Sequence, residues 1–77
     1  MDTDTLTALL RNGLPDCDVQ VETDGYHYTV TVVGELFSGL RPVQRQQKVY
    51  AVINHLIADG SVHAVNIRAR TPAEQAS

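Results

Sequence analysis

Tryptophan is absent from this 77-residue chain, and phenylalanine and cysteine occur once each. A lone thiol, Cys17, closes no internal disulfide, so the chain is not a stapled secreted scaffold. With three tyrosines as the only other aromatics, it has few platforms on which single-stranded bases can stack. No apolar stretch approaches the roughly 18 residues that a membrane span needs. Asp2 and Asp4 stand where a signal peptide would carry its basic start. A cytoplasmic location without membrane attachment is the expectation.

The motifs of common chemistry are missing too. There is no Cys-x-x-Cys and no closely spaced histidine pair of the zinc-finger kind. There is no Gly-x-x-Gly, the loop with which K-homology domains clamp a nucleic-acid backbone; Gly34 and Gly39 are spaced too widely. Ser38 and Ser61 are turn residues beside glycine and lack the strand-turn-helix context of a nucleophile elbow. A chain this short buries only about 60% of its unfolded surface, which leaves little room for a deep cleft. These absences point away from an enzyme and toward one small domain over residues 1–77.

What is present is ordinary globular composition, with 43% hydrophobic residues and a net charge of −3. The charge is unevenly placed. Seven acids and one base lie within the first 35 residues, and five bases and two acids follow. Arg41, Arg45, Lys48, Arg68 and Arg70 make the second half basic, a pattern suited to a charged partner, although a solvated helix face gives the same pattern.

Periodicity gives the elements. Leu6, Leu9 and Leu10 mark a first helix behind an Asp2 or Asp4 cap, with Gly13 expected as its left-handed terminator before Pro15. Val19, Val21 and Thr23 alternate with Asp18, Gln20 and Glu22 as a half-buried strand, and Asp24-Gly25 predicts a type I′ hairpin turn. The return strand is expected from about Tyr26 to Val33. A compact turn follows, and Pro42 opens the longest helix, whose apolar stripe is Val49, Val52, Ile53, Leu56 and Ile57. Gly60 ends that helix. A third strand is expected from about Val62 to Ala69, and Thr71-Pro72-Ala73-Glu74 reads as a capping box opening a last helix. The order is α-β-β-α-β-α. A helical crossover between the second and third strands favours parallel pairing. An α+β fold with a three-stranded mixed sheet and helices on one face follows, and this resembles the type II K-homology arrangement.

Few side chains can carry chemistry. His55 falls between apolar positions of the long helix and is expected at an edge or partly buried. Cys17, flanked by Asp16 and Asp18, lacks the positive neighbours that lower a thiol pKa and is expected at the surface or an edge. His27 and His63 open the second and third strands, which brings them to one sheet edge if those strands pair in parallel. Neutral imidazole is the commonest side-chain metal ligand, although strict pleating puts the two on opposite faces. Arg41, Arg45 and Lys48 form a basic strip on the long helix that can meet phosphates or a protein partner.

Gly34-Glu35-Leu36-Phe37-Ser38-Gly39, Val49-Tyr50, Val62-His63-Ala64-Val65 and Thr71-Pro72 together resemble the BolA-like family over nearly the whole chain. The Asp-Gly-x-His hairpin with Gly-Glu-Leu-Phe is most similar to its small acid-stress-related bacterial branch. The Arg-His pair usual at the start of the long helix is absent, with Gln46-Gln47-Lys48 near that place. The resemblance implies a non-enzymatic adaptor that associates with a monothiol glutaredoxin and shares a [2Fe–2S] cluster. In that assembly His63, the histidine of the Val-His-Ala segment, ligates iron. His27 fits the second, hairpin ligand, and a glutaredoxin cysteine and glutathione complete the set. The isolated protein is then expected to be a cofactor-free monomer. The family's other implied role is DNA-binding transcriptional regulation.

Overall fold

The computed structural model describes residues 2–76 and shows the order α1 (Thr3–Gly13), β1 (Asp18–Thr23), β2 (His27–Val33), a 3-10 turn (Glu35–Phe37), α2 (Pro42–Ala58), β3 (Ala64–Arg70) and α3 (Pro72–Ala76). β2 is the middle strand of a mixed sheet, antiparallel to β1 and parallel to β3. The expected α+β architecture is the observed one. Alternation sorts the strands into two faces. Val19, Val30 and Val32 point into the core, with Val21, Tyr28, Val65, Ile67 and Ala69 packed against it. Asp18, Gln20, Glu22, Asn66, Arg68 and Arg70 are exposed on the other face.

α1 and α2 close the apolar face with Leu6, Leu10, Val49, Ile53 and Leu56, and Phe37 drops from the 3-10 turn into the same cluster, fully buried. The side chain of Asp2 caps α1 by accepting from the Thr5 N–H at 2.7 Å. Gly13, however, is not a left-handed terminator. It belongs to the helix, and Leu14 is the C-cap with φ −131°. Its glycine has another cause: a Cβ there would lie 2.6 Å from Val52 Cγ1 of α2. Gly13 therefore permits the close approach of the two helices.

The hairpin turn also differs from expectation. Gly25 alone carries a positive φ, +101°, and Asp24 N–H bonds to the His27 carbonyl at 3.3 Å. Among the described residues no non-glycine has a positive φ, so Asp24-Gly25 is not a type I′ pair, and the chain reverses through Gly25-Tyr26 instead. Tyr26 is thus a turn residue and β2 begins at His27. β3 likewise starts two residues later than expected, at Ala64. Val62 is held at the end of α2 instead, where its N–H bonds to the Leu56 carbonyl at 3.2 Å and its side chain is buried.

A clamp fixes the C-terminal segment. Thr71 and Glu74 form the full capping box, with Thr71 N–H donating to Glu74 Oε1 at 2.9 Å and Glu74 N–H to Thr71 Oγ1 at 3.2 Å. Glu74 also receives both terminal nitrogens of Arg45, at 2.6 and 3.1 Å. The same guanidinium donates to the carbonyls of Leu40 at 3.0 Å and Ala69 at 3.2 Å. Arg45 so ties the start of α2, the end of β3 and α3 together.

Two predictions follow from this packing. Ala at position 13 normally gains helix propensity over glycine, by about 1 kcal/mol. Here Gly13→Ala drives a methyl into a stiff β-branched side chain and costs roughly 1–3 kcal/mol, and Val52→Ala in the same chain recovers most of that loss; urea denaturation of the four-variant set measures it. The second concerns acid. Hydrogen bonds from Arg45, then from Thr71 N–H, hold the Glu74 carboxyl down from 4.5 to about 2. A depressed carboxyl stabilises the fold above its unfolded value and loses that contribution as pH falls toward its folded value. Between pH 4.5 and about 2 the gap in melting temperature between the native chain and Glu74→Gln should therefore shrink; a gap that stays constant across that window rules this linkage out.

Candidate metal-ligand site

The site lies where β2 and β3 begin. Their parallel register pairs His27 with Ala64, so the residue before Ala64, His63, stands beside the start of β2. Both histidines are exposed. His63 precedes the ladder, so strand alternation does not by itself set its direction. Its backbone is nonetheless held on both sides, by buried Val62 anchored to α2 and by Ala64 in the sheet.

His27 is positioned by the turn. Asp24 Oδ1 accepts from the N–H groups of Tyr26 at 2.9 Å and His27 at 2.7 Å, the Asx-turn geometry that short acidic side chains provide. The other carboxylate oxygen lies 3.4 Å from His27 Nδ1. The two backbone donors, His27 first, hold the Asp24 carboxyl well below its ordinary value, at about 2. The neutral tautomer that carries its proton on Nδ1 donates to this carboxylate and keeps its lone pair on Nε2. On the open face of the sheet, His27 borders a shallow depression of about 230 Å³ shared with Glu22, Thr23, Asp24 and Thr29.

Tyr26 joins the two imidazoles. Its ring is edge-on to His27, with centroids 4.9 Å apart and an interplanar angle of 77°. It stacks nearly parallel on His63, at 6.5 Å and 12°. Both distances fall within the range of favourable aromatic pairs. Among the described residues, neither ring nitrogen of His63 has a hydrogen-bond partner, so both are available.

The donor chemistry fits one corner of an iron–sulfur centre, where two histidines can replace two cysteines. It does not make a closed site. Among the described residues, no group of three or more His, Cys, Asp or Glu side chains is placed to hold a metal ion. Any such ion needs ligands from elsewhere.

Other sequence-flagged residues fall away from this rim. Cys17 is buried, not at the surface or an edge, and lies against Gly34 near the opposite end of the hairpin. Burial, and then its neighbours Asp16 and Asp18, push its thiol pKa up, which suits packing and not ligation. His55 is fully on the exposed side of α2, because Leu56 and Ile53 take the buried positions. The basic strip is unequal: Arg41 and Lys48 are exposed, whereas Arg45 between them is spent on Glu74 and two carbonyls. No helix among the described residues is long and apolar enough to cross a membrane. Reading the sequence for alternation missed Asp24 and Tyr26 as site residues. The Asp-Gly-Tyr-His spacing carries that signal, since an Asp side chain reaches the N–H groups two and three residues on.

Comparison with known proteins places this geometry in a family. A family model described as BolA-like protein matches residues 12–74. The chain is 45% identical, over 76 residues, to acid stress protein IbaG of Escherichia coli, covering 99% of this chain and 90% of that one. A bolA protein homologue from Coxiella burnetii superposes with a TM-score of 0.85 at 24% identity, over 100% of this chain and 99% of that one. The solution structure of BolA1 from Mus musculus gives 0.78 at 29% identity, over 95% of this chain and 67% of that one. Matching the family model over most of its length, and so close to a bacterial relative across nearly all of it, the chain belongs to the BolA-like family.

Proposed function

We propose that the protein is a non-catalytic adaptor that contributes His63 and His27 to a [2Fe–2S] cluster shared with a monothiol glutaredoxin and glutathione, in iron–sulfur trafficking or stress response. The observation that carries this reading is the pair of exposed imidazoles at one rim of the sheet, each with a free nitrogen and with no complete ligand set around them. A half-set of neutral donors holds a cluster only when a partner supplies the rest. Neutral histidine in place of anionic cysteine also raises the reduction potential of the centre, so hetero-assembly changes the properties of the cluster as well as its owner. The name of the Escherichia coli relative, acid stress protein, agrees with a stress setting.

The alternative, a DNA-binding regulator, needs a basic strip on α2. Arg45 is the centre of that strip and is already engaged by Glu74 and two backbone carbonyls. Two remaining exposed cations on that strip give only weak, salt-sensitive attraction to phosphates.

Mixing the apo protein with a monothiol glutaredoxin, iron, sulfide and glutathione should give a 1:1 complex whose visible spectrum differs from that of the glutaredoxin homodimer. His63→Ala should abolish the spectral change, and His27→Ala should reduce it. A mixture that keeps the homodimer spectrum and shows no complex on a sizing column ends the proposal. For the alternative, mobility shift of duplex DNA at physiological salt is the measurement, and none is expected at micromolar protein.

A further inference from the structure

Tyr26 is 65% exposed, yet its ring is not idle: it touches both candidate ligands in two different geometries. Its backbone cannot drift, because Asp24 Oδ1 holds its N–H at 2.9 Å and that of His27 at 2.7 Å. His63 stands in the opposite situation. It lies outside the β2–β3 ladder, and among the described residues no hydrogen bond fixes its ring. Among the described residues, the near-parallel pairing with Tyr26 is the aromatic interaction that bears on the orientation of the His63 ring.

The geometry of that contact matters chemically. Stacking uses the face of the imidazole, whereas the lone pair that binds a metal lies in the ring plane. At 6.5 Å between centroids and 12° between planes, Tyr26 lies beside this imidazole in a widely offset, near-parallel arrangement. The T-shaped pairing with His27, at 4.9 Å between centroids, bears on the second ring, whose Nδ1 also faces Asp24. One turn, Asp24 through His27, so holds one ligand by a carboxylate and both by an aromatic ring.

We propose that Tyr26 is a positioning residue that pre-organises His63 and His27 as a ligand pair before any metal arrives; this rests on the ligand reading above. A ring already held in its ligating orientation pays less ordering cost when the metal binds. A stacking contact of this class is worth a factor of roughly 2 to 10 in an equilibrium constant, so that is the size of the effect on metal affinity.

The test uses zinc alone, with no glutaredoxin, because zinc accepts imidazole ligands readily. Zn²⁺ titration of the whole protein by calorimetry compares the native chain with Tyr26→Phe, Tyr26→Ser and each of these in a His63→Ala background. Tyr26→Phe keeps the ring and should keep the affinity. Tyr26→Ser should weaken it by about 2- to 10-fold, and in the His63→Ala background most of that difference should vanish. The carbon-bound ring protons of His63 and His27, followed by NMR without metal, should shift in Tyr26→Ser by loss of the ring current and stay in place in Tyr26→Phe. Equal or tighter zinc binding by Tyr26→Ser overturns the proposal, since the ring is then a bystander or an obstacle. So does a failure of phenylalanine to substitute, unmoved ring protons, or no zinc binding by the native chain. The cluster-sharing proposal fails on a different result: a glutaredoxin mixture without the mixed spectrum, whatever the zinc series shows.

Discussion

The parallel pairing of β2 with β3 is the constraint on which the candidate rim depends. Strands separated by the whole of α2 are brought into a register that sets His27 against Ala64, and no local interaction along the chain achieves that. Because the strands run the same way, both of their starting residues arrive at one end of the sheet; an antiparallel pair would have put them at opposite ends. The crossover helix must therefore have the right length and end in the right place. Gly60, with φ +83°, ends it through the Gly60 N–H to Ile57 carbonyl bond, and Val62 N–H to the Leu56 carbonyl brings the chain back toward the core. The position of His63 is inherited from how a helix stops.

The far end of the same strands is fixed by different means. Arg45 gathers Leu40, Ala69 and Glu74 around one guanidinium whose side chain is 15% exposed. A planar fork of donors suits this bidentate role in a way that lysine's single ammonium does not. Hence a residue that looks in sequence like one third of a nucleic-acid strip serves as an internal strap. The charge asymmetry between the two halves is partly consumed within the fold, and only the remainder is offered to partners.

Most of the architecture was legible because the strands alternate cleanly and the helix ends carry strong local signals. The Thr71-Glu74 capping box formed as its spacing implies. The misread places share a cause. Gly13 has the composition of a terminator, but a contact with Val52 from a distant helix explains it. Cys17 sits between two aspartates, yet the close approach of Gly34 lets it turn inward. Tyr26 and Val62 fit their neighbouring strands by parity, and the hairpin bend and a helix end claim them instead. Local pattern predicts which segments are elements; it does not see across the molecule. The two histidines were legible as neighbouring strand starts, whereas Asp24 and Tyr26 beside them were not, because a turn and not a period places those two.

Stability and ligation are separable here, which bears on how any loss of function is to be read. The fully buried core comes nearest to the rim at Val30 on β2 and at Val62, directly before His63, with Tyr28 and Val65 partly buried against it. His27, His63 and Tyr26 all lie on the solvent side of it. Substituting an exposed side chain away from caps, cavities and special backbone typically changes stability by no more than about 0.5 kcal/mol. Under the proposed role, a variant of His63 or Tyr26 that failed to bind metal or partner would therefore have lost ligand geometry and not the fold. Asp24 is the exception, because its carboxylate supports two backbone N–H groups as well as the His27 ring. Removing it disturbs the turn and the ligand together, so an Asp24 variant reports on the sum of both effects, and only the two imidazoles and Tyr26 isolate the coordination chemistry.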